Sequence, residues 1–294
     1  MRAGSKSRAA AFSIASNTLL IAAKLAAAAI TGSIAILTEV IHSSIDLIAS
    51  VIAFVSVRKA DEPADDDHLY GHEKVESLAA VIEGVLILLG AAIIVFEATR
   101  RLVTSVEIDS VGVGIAIVAG SVLVNGTVSE YLRRQADRLQ SPALAGDAAH
   151  LRADAVTSLG VVAGLVLVRL TGNSIFDPIA ALVVAVAIVF AGFRIITRSS
   201  GPLVDEAPPA DEMRQIEAAI AAASAPEVAG YHKLRARRAG RRRYIDLHVQ
   251  FTEGTTLERA HELAHLMRDE IESEIPDADV LIHVEPEKTP GSVR

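Results

Sequence analysis

Apolar residues in this chain fall into blocks rather than alternating along its whole length. Runs rich in Ala, Val, Ile and Leu occupy residues 12–31, 34–57, 78–99, 111–131, 145–168 and 178–197, with short polar segments between them. A helix rises about 1.5 Å per residue, so runs of this length match the roughly 30 Å of hydrocarbon in a bilayer. The pattern predicts a bundle of six membrane-spanning helices over residues 1–205. The breaks carry turn chemistry. Thr31-Gly32-Ser33 and Thr171-Gly172-Asn173 read as tight turns, and Val103–Asp109 as a short connection. Arg133–Arg138 reads as a charged connector. Ser141-Pro142 opens the fifth helix, and Asp177-Pro178 reads as a cap followed by the first residue of the sixth.

Past this point the pattern changes. The stretch 202–210 holds prolines at 202, 208 and 209 and reads as a linker. Residues 206–294 then form a separate domain. Asp211–Ala223 is amphipathic with helical period. Gly230–Arg237 and Arg243–Phe251 alternate as strands, and Ala239-Gly240-Arg241 is their turn. Thr256–Glu274 is helical, with Thr255 or Thr256 as cap, and Ala278–Val284 is a last strand. The order α-β-β-α-β predicts a small two-layer α+β domain with its helices on one face of the sheet.

Composition narrows the class. The chain has 294 residues, 51% hydrophobic and 22% charged, with a formal net charge of −8. That charge argues against a nucleic-acid partner. With no cysteine there is no disulfide, thiolate ligand or thiol chemistry, so any metal must be held by nitrogen and oxygen. Basic residues in Met1–Arg8 precede an apolar segment that continues to Gly32, which reads as a first span rather than a cleaved signal peptide. Lys6, Arg8, Arg58, Lys59, Arg133, Arg134 and Arg138 fall on the side of the N terminus, against Arg100, Arg101 and Arg169 on the other. The positive-inside rule then places both termini in the cytoplasm.

Ionisable residues inside the apolar runs carry the candidate chemistry. His42 and Asp46 sit in the second run, and His150 and Asp154 open the fifth. Residues four apart share a helix face, so two such helices facing each other supply two imidazoles and two carboxylates. That set suits a tetrahedral divalent cation, and groups this costly at membrane depth usually mark an ion pathway. The competing reading makes each pair a structural link between helices. Lys24 either snorkels, faces the bundle interior, or marks a misplaced boundary. Asn17 and Asn125 are suited to hydrogen bonds across helices. Glu39, three before His42, shares its face and is positioned for a proton path. Glu83 has no assigned role.

The two His/Asp pairs, the layout, and the loop Asp65-Asp66-Asp67-His68-Leu69-Tyr70-Gly71-His72-Glu73-Lys74 resemble the cation diffusion facilitator family, most of all its bacterial zinc and ferrous-iron efflux members. The resemblance runs from about Phe12 to Glu285. It implies a homodimer in a bacterial inner membrane with a metallochaperone-like, ferredoxin-like cytoplasmic domain. The activity it implies is secondary transport, metal out of the cytoplasm against protons, and no enzymatic reaction. His42, Asp46, His150 and Asp154 match the family's transport ligands, and the two-His, two-Asp set implies Zn2+, sometimes Co2+, over Cd2+, and disfavours iron and manganese; Co2+, Cd2+ and Fe2+ stay as further candidates. Imidazole ligands point the same way.

By the same match Asp65, His68 and His72 bind one metal near the cytoplasmic membrane surface. His68 and His72 are spaced to share a helical face, with Asp65 three before His68, and Asp66 or Asp67 can replace Asp65. The alternative is a solvated acidic loop. In the cytoplasmic domain His232, His248, His261, His283 and Glu285 match ligand positions. The family often has Asp at the last of these, and Glu285 carries its carboxylate one methylene further out. His265 has no counterpart there and reads as a surface histidine. Lys74 and Asp205 match a structural ion pair of the family. Two other functions stay open: a metal-responsive membrane scaffold of this fold without transport, and a proton-coupled transporter of another solute.

Overall fold

A computed structural model describes residues 3–31, 34–103, 112–173 and 175–287. The chain divides into two compact units, 1–200 and 201–294.

The first unit consists of long helices: α1 (Ala3–Thr31), α2 (Ile34–Ala60), α3 (Lys74–Val103), α4 (Gly112–Leu139), α5 (Pro142–Thr171) and α6 (Phe176–Ser200). The closest pairs are α3 with α6, α4 with α5, and α1 with α2, and α5 also packs on α2, α3 and α6. The polarity of the bundle is reversed relative to a water-soluble one. Leu19, Ile93, Phe96, Leu123, Leu170, Val183 and Phe190 are exposed, whereas Asn17, Lys24, Asp46, Glu76, Glu83, Asp147 and His150 are buried. Large apolar side chains outside and ionisable ones inside is the arrangement a lipid solvent favours. Buried alanines, among them Ala9, Ala10, Ala49, Ala53, Ala79 and Ala80, let helix backbones approach closely. Among the described residues three segments are long and apolar enough to cross a membrane by length and composition: Ser5–Ile30, Lys74–Leu102 and Pro178–Val204.

Two boundaries differ from expectation. Arg133–Arg138 is not a connector; α4 runs through it to Leu139. Leu132, Ala136 and Leu139, spaced at helical intervals through and on either side of that charged stretch, are buried against Ala143 and Leu144. On the outer side Glu130 takes Arg133 and Arg134, each at 2.8 Å, as i,i+3 and i,i+4 pairs. The sixth helix begins at Phe176, so Asp177 lies in its first turn rather than at the cap. Asn173 serves the turn instead, its Oδ1 accepting the Ile175 N–H at 3.0 Å. The expected turn at Thr31-Gly32-Ser33 lies, beyond its first residue, outside the described residues, and the ends of α5 follow their turn chemistry. Ser141 caps α5 by accepting the Leu144 N–H, and Gly172 ends it in the left-handed region at φ 70°. The expected connection Val103–Asp109 lies, beyond its first residue, outside the described residues.

In the second unit a 3₁₀ turn (Gly201–Val204) precedes α7 (Ala210–Ala222), β1 (Val228–Ala239), β2 (Arg242–Phe251), α8 (Leu257–Glu274) and β3 (Ala278–Pro286). The sheet order is β1-β2-β3. A hairpin with Gly240 at φ 57° makes β1 and β2 antiparallel, and the α8 crossover makes β2 and β3 parallel. Thr256 caps α8, accepting the Arg259 N–H at 3.2 Å. Ile245, Leu247, Val249 and Phe251 turn one face of β2 onto Ile216 and Ile220 of α7 and Leu263, Met267 and Ile271 of α8. Both helices therefore cover a single face. The period of two sends His248 to the other face, where register aligns His232, His248 and His283 side by side across the strands.

Candidate metal centres

Helix packing of α2 on α5 brings Asp46 to His150 and Asp154. The His150 Nε2 lies 3.3 Å from Asp46 Oδ1 and 3.8 Å from Asp154 Oδ2. One ligand atom from each residue falls within 4.8 Å of the others. Asp46 and His150 are buried, and Asp154 is nearly so. One nitrogen and two carboxylate oxygens converging in an apolar bundle form a donor set for a divalent cation, whose charge two carboxylates would balance. The side chains of His42 and Glu39 lie outside the described residues.

Around this group the bundle interior is polar. Asp147, one turn before His150 and fully buried, accepts Ser50 Oγ at 3.0 Å; Ser50 in turn receives Asn17 Nδ2 at 2.9 Å and meets Ser13 at 3.0 Å. Asn17 thus bonds across helices as expected. Asn125 leaves its Oδ1 without a hydrogen-bond partner. Lys24 faces the interior, its Nζ donating to Ser43 Oγ at 2.7 Å. Lys6 pairs with buried Glu76 at 2.5 Å, and Ser141 donates to the same carboxylate. Glu83 Oε2 lies 4.0 Å from His150 Nδ1. Asp147 and the approach of Glu83 to His150 are not among the expectations from sequence. Asp147, three before His150, shared the helical spacing that would have flagged it. Glu83 lies on another helix and gave no such signal.

The second group is Asp65, His68 and His72. The expected helical face is wrong here: residues 61–71 form an irregular loop, and α3 begins only at Lys74. Local turns assemble the group instead. Asp65 Oδ1 accepts the backbone N–H groups of Asp67 at 3.1 Å and His68 at 2.7 Å, and Gly71 turns the chain at φ 85°. His68 Nδ1 then stands 3.1 Å from Asp65 Oδ1, and His72 Nε2 3.2 Å from Asp65 Oδ2. Burial works against the Asp65 charge, but the His68 backbone N–H, the His68 ring and the His72 ring outweigh it and hold its carboxyl below the usual range. Asp66 and Asp67 are exposed and outside the group. His72 is buried with neither ring nitrogen hydrogen-bonded. Such a nitrogen beside a carboxylate fits a cation with nitrogen and oxygen ligands.

In the second unit Glu285 is the centre of the third group. Its Oε2 lies 2.8 Å from His232 Nε2 and its Oε1 2.6 Å from His248 Nδ1. His283 Nε2 stands 3.7 Å from the same Oε1. Hydrogen bonds with His248, and then His232, pull the Glu285 carboxyl down to about 2. The extra methylene does not keep this carboxylate from the histidines. These nitrogens and oxygens suit the same class of cation. Within the protomer His261 stands apart from His232, His248 and Glu285. It lies on α8 beside His265, ring centroids 4.3 Å apart, and both are exposed. The physical cause is the sheet: α8 packs on the core face, and the other histidines occupy the opposite face. Asp205 accepts Arg237 Nη1 at 3.0 Å within its own unit, while Lys74 belongs to the first unit.

Residues 10–204 match the family profile described as the cation efflux transmembrane domain, and residues 208–287 that of the cation efflux protein cytoplasmic domain. The chain belongs to the cation efflux, or cation diffusion facilitator, family: membrane-spanning transporters of divalent metals with a cytoplasmic dimerisation domain. It is 33% identical to an uncharacterized transporter of Synechocystis over 92% of this chain and 86% of that one. It is 31% identical to the cation-efflux pump FieF of Escherichia fergusonii over 95% of this chain and 92% of the pump. A solved metal-bound C-terminal domain of the CzcD transporter from Thermotoga maritima is 30% identical, with a TM-score of 0.26, covering 30% of this chain and all of that one.

Proposed function

We propose that this protein exports zinc from the cytoplasm in exchange for protons, as a homodimer in a bacterial inner membrane. The carrying observation is the convergence of Asp46, His150 and Asp154 inside a bundle that is apolar outside. In this reading six helices span the membrane, both termini are cytoplasmic, and His42 completes the transport site. The domain boundary falls at 205/206. Cargo enters from the cytoplasm and is held by two imidazoles and two carboxylates. The same four groups accept protons, so metal and proton compete for one site, and the helices expose it to one side at a time. Imidazole donors favour zinc over harder ions, and Co2+, Cd2+ and Fe2+ are secondary cargoes.

The loop group of Asp65, His68 and His72 takes a metal at the cytoplasmic approach. His232, His248, His283 and Glu285 hold resident metal in the cytoplasmic domain, where His261 joins only from a partner protomer. Metal there stabilises the dimer by mass action.

The test is zinc flux in reconstituted vesicles under an imposed pH gradient, wild type against Asp154→Ala. Gradient-dependent flux that the variant abolishes is the expected result. No metal flux in the wild type, with metal still bound outside the membrane, would replace the transporter by a metal-responsive scaffold. Flux of another solute alone would make the His/Asp pairs a proton relay.

A further inference from the structure

Glu83 is wholly buried on α3, and neither of its carboxylate oxygens has a hydrogen-bond partner. Burying a carboxylate without partners costs several kcal/mol, roughly, so a side chain kept there needs a counterpart. The counterpart is on α5. His150 Nδ1, also buried and without a hydrogen bond, lies 4.0 Å from Glu83 Oε2. The other nitrogen of that ring, Nε2, faces Asp46 at 3.3 Å and Asp154 at 3.8 Å. The imidazole thus divides its two nitrogens, one toward the paired carboxylates and one toward Glu83. Asp147 turns its Oδ1 to Ser50 at 3.0 Å and leaves its Oδ2 without a hydrogen-bond partner, whereas the Glu83 carboxylate is the one that stands at His150 Nδ1.

The packing makes room for this arrangement. Gly146, one turn before His150, lies against Glu83: a Cβ there would stand 3.0 Å from Glu83 Cγ and 3.1 Å from Ala80 Cα. Absence of a side chain at Gly146 lets the Glu83 carboxylate lie along α5. From 4.0 Å, a small torsional adjustment of either side chain reaches the roughly 2.9 Å of a hydrogen bond.

We propose that Glu83 is a positioning residue for transport: it accepts the Nδ1–H of His150, fixing the tautomer and ring orientation that present the Nε2 lone pair to the cargo ion between Asp46 and Asp154. A carboxylate accepting from the far nitrogen of a ligating histidine raises its basicity and holds its plane. This inference rests on the reading of Asp46, His150 and Asp154 as the transport site.

Zinc flux measured against zinc concentration, in vesicles holding the full chain, separates the possibilities. Glu83→Leu should raise the half-saturating zinc concentration about 10- to 100-fold, the usual loss when such a partner is removed, with the maximal rate per folded protein little changed. Glu83→Gln keeps a carbonyl acceptor and should recover most of the affinity. A purely structural role would alter yield or thermal midpoint instead, and leucine in place of an unpaired buried carboxylate should fold no worse. If Glu83→Leu does not accumulate, Glu83→Ala carries the same expectation. Half-saturation at the wild-type concentration in the leucine or alanine variant, or equal effects of glutamine and leucine, overturns the proposal. Asp154→Ala is measured alongside. If it is inactive while Glu83→Leu matches wild type, only the role of Glu83 falls. If it transports normally, the transport site falls and this inference with it.

Discussion

The contact between α3 and α6 runs through glycine, and adding one methyl there has a calculable cost. A Cβ at Gly84 would stand 2.6 Å from Ile196 Cγ1, 3.2 Å from the Gly192 carbonyl oxygen and 3.3 Å from the Ile196 nitrogen. Nonbonded carbons rest at about 3.5–4.0 Å, so Gly84→Ala needs roughly an ångström of separation from Ile196. Rotation of Ile196 can relieve the closest contact, but the two backbone atoms at 3.2 and 3.3 Å must still give by a few tenths of an ångström. Overpacking of this kind costs about 1–3 kcal/mol. Alanine in place of helical glycine returns about 0.8–1.0 kcal/mol of propensity, leaving a net loss of about 0–2 kcal/mol. Gly90 on the same helix is the control. Nothing lies within 4 Å of its Cβ position in the protomer, so Gly90→Ala should collect the propensity gain of up to about 1 kcal/mol alone. Thermal unfolding of the purified protein in detergent, followed by the fraction that stays monodisperse, should order the midpoints as Gly90→Ala at or above wild type, and Gly84→Ala below both. Equal shifts in the two variants, or a Gly84→Ala midpoint above wild type, would refute the steric reasoning. Glu83 is the residue before Gly84, so a displaced α3 should also weaken zinc affinity.

Two other predictions concern the sites outside the membrane. Asp65→Asn keeps an oxygen for the Asp67 and His68 N–H groups but drops the charge facing both histidines, whereas Asp65→Ala loses both; metal stoichiometry should fall in both variants, and only the alanine variant should become more sensitive to proteolysis within residues 61–73. Glu285 titrates at about 2 in the folded protein, below its ordinary 4.5, so its stabilisation is full above about 4.5 and is lost as pH falls toward 2. The thermal midpoint of metal-free wild type should exceed that of Glu285→Gln at about pH 5, by a gap that narrows below the ordinary glutamate range; a gap that widens as pH falls from about 5 toward 2 would contradict the assignment.

Local periodicity made much of this protein legible. Blocks of twenty apolar residues announced the long helices, because a helix in lipid must present apolar side chains over its whole length. Alternation in Tyr244–Gln250 announced β2. The four-residue spacing of His150 and Asp154 placed both on one side of α5, where they lie. The charged stretch Arg133–Arg138 misled because its surface charges hid Leu132, Ala136 and Leu139 at helical spacing. His68 and His72 showed the converse error: helical spacing is no evidence of a helix where Asp65 and Gly71 supply turns.

The sequence by itself therefore determined which elements form, which residue types can hold a cation, and, through the absence of cysteine, that nitrogen and oxygen must do it. Only tertiary structure decided which of these side chains meet. Glu83 and His150 are brought together by α3 packing on α5 over Gly146, and no spacing along the chain encodes that approach. His261 is separated from His232 and His248 because α8 must cover the apolar face of the sheet while alternation puts the other histidines on the far face. Periodicity records the side on which a residue emerges from its own element, whereas the choice of neighbour across a helix pair or a sheet is made by packing.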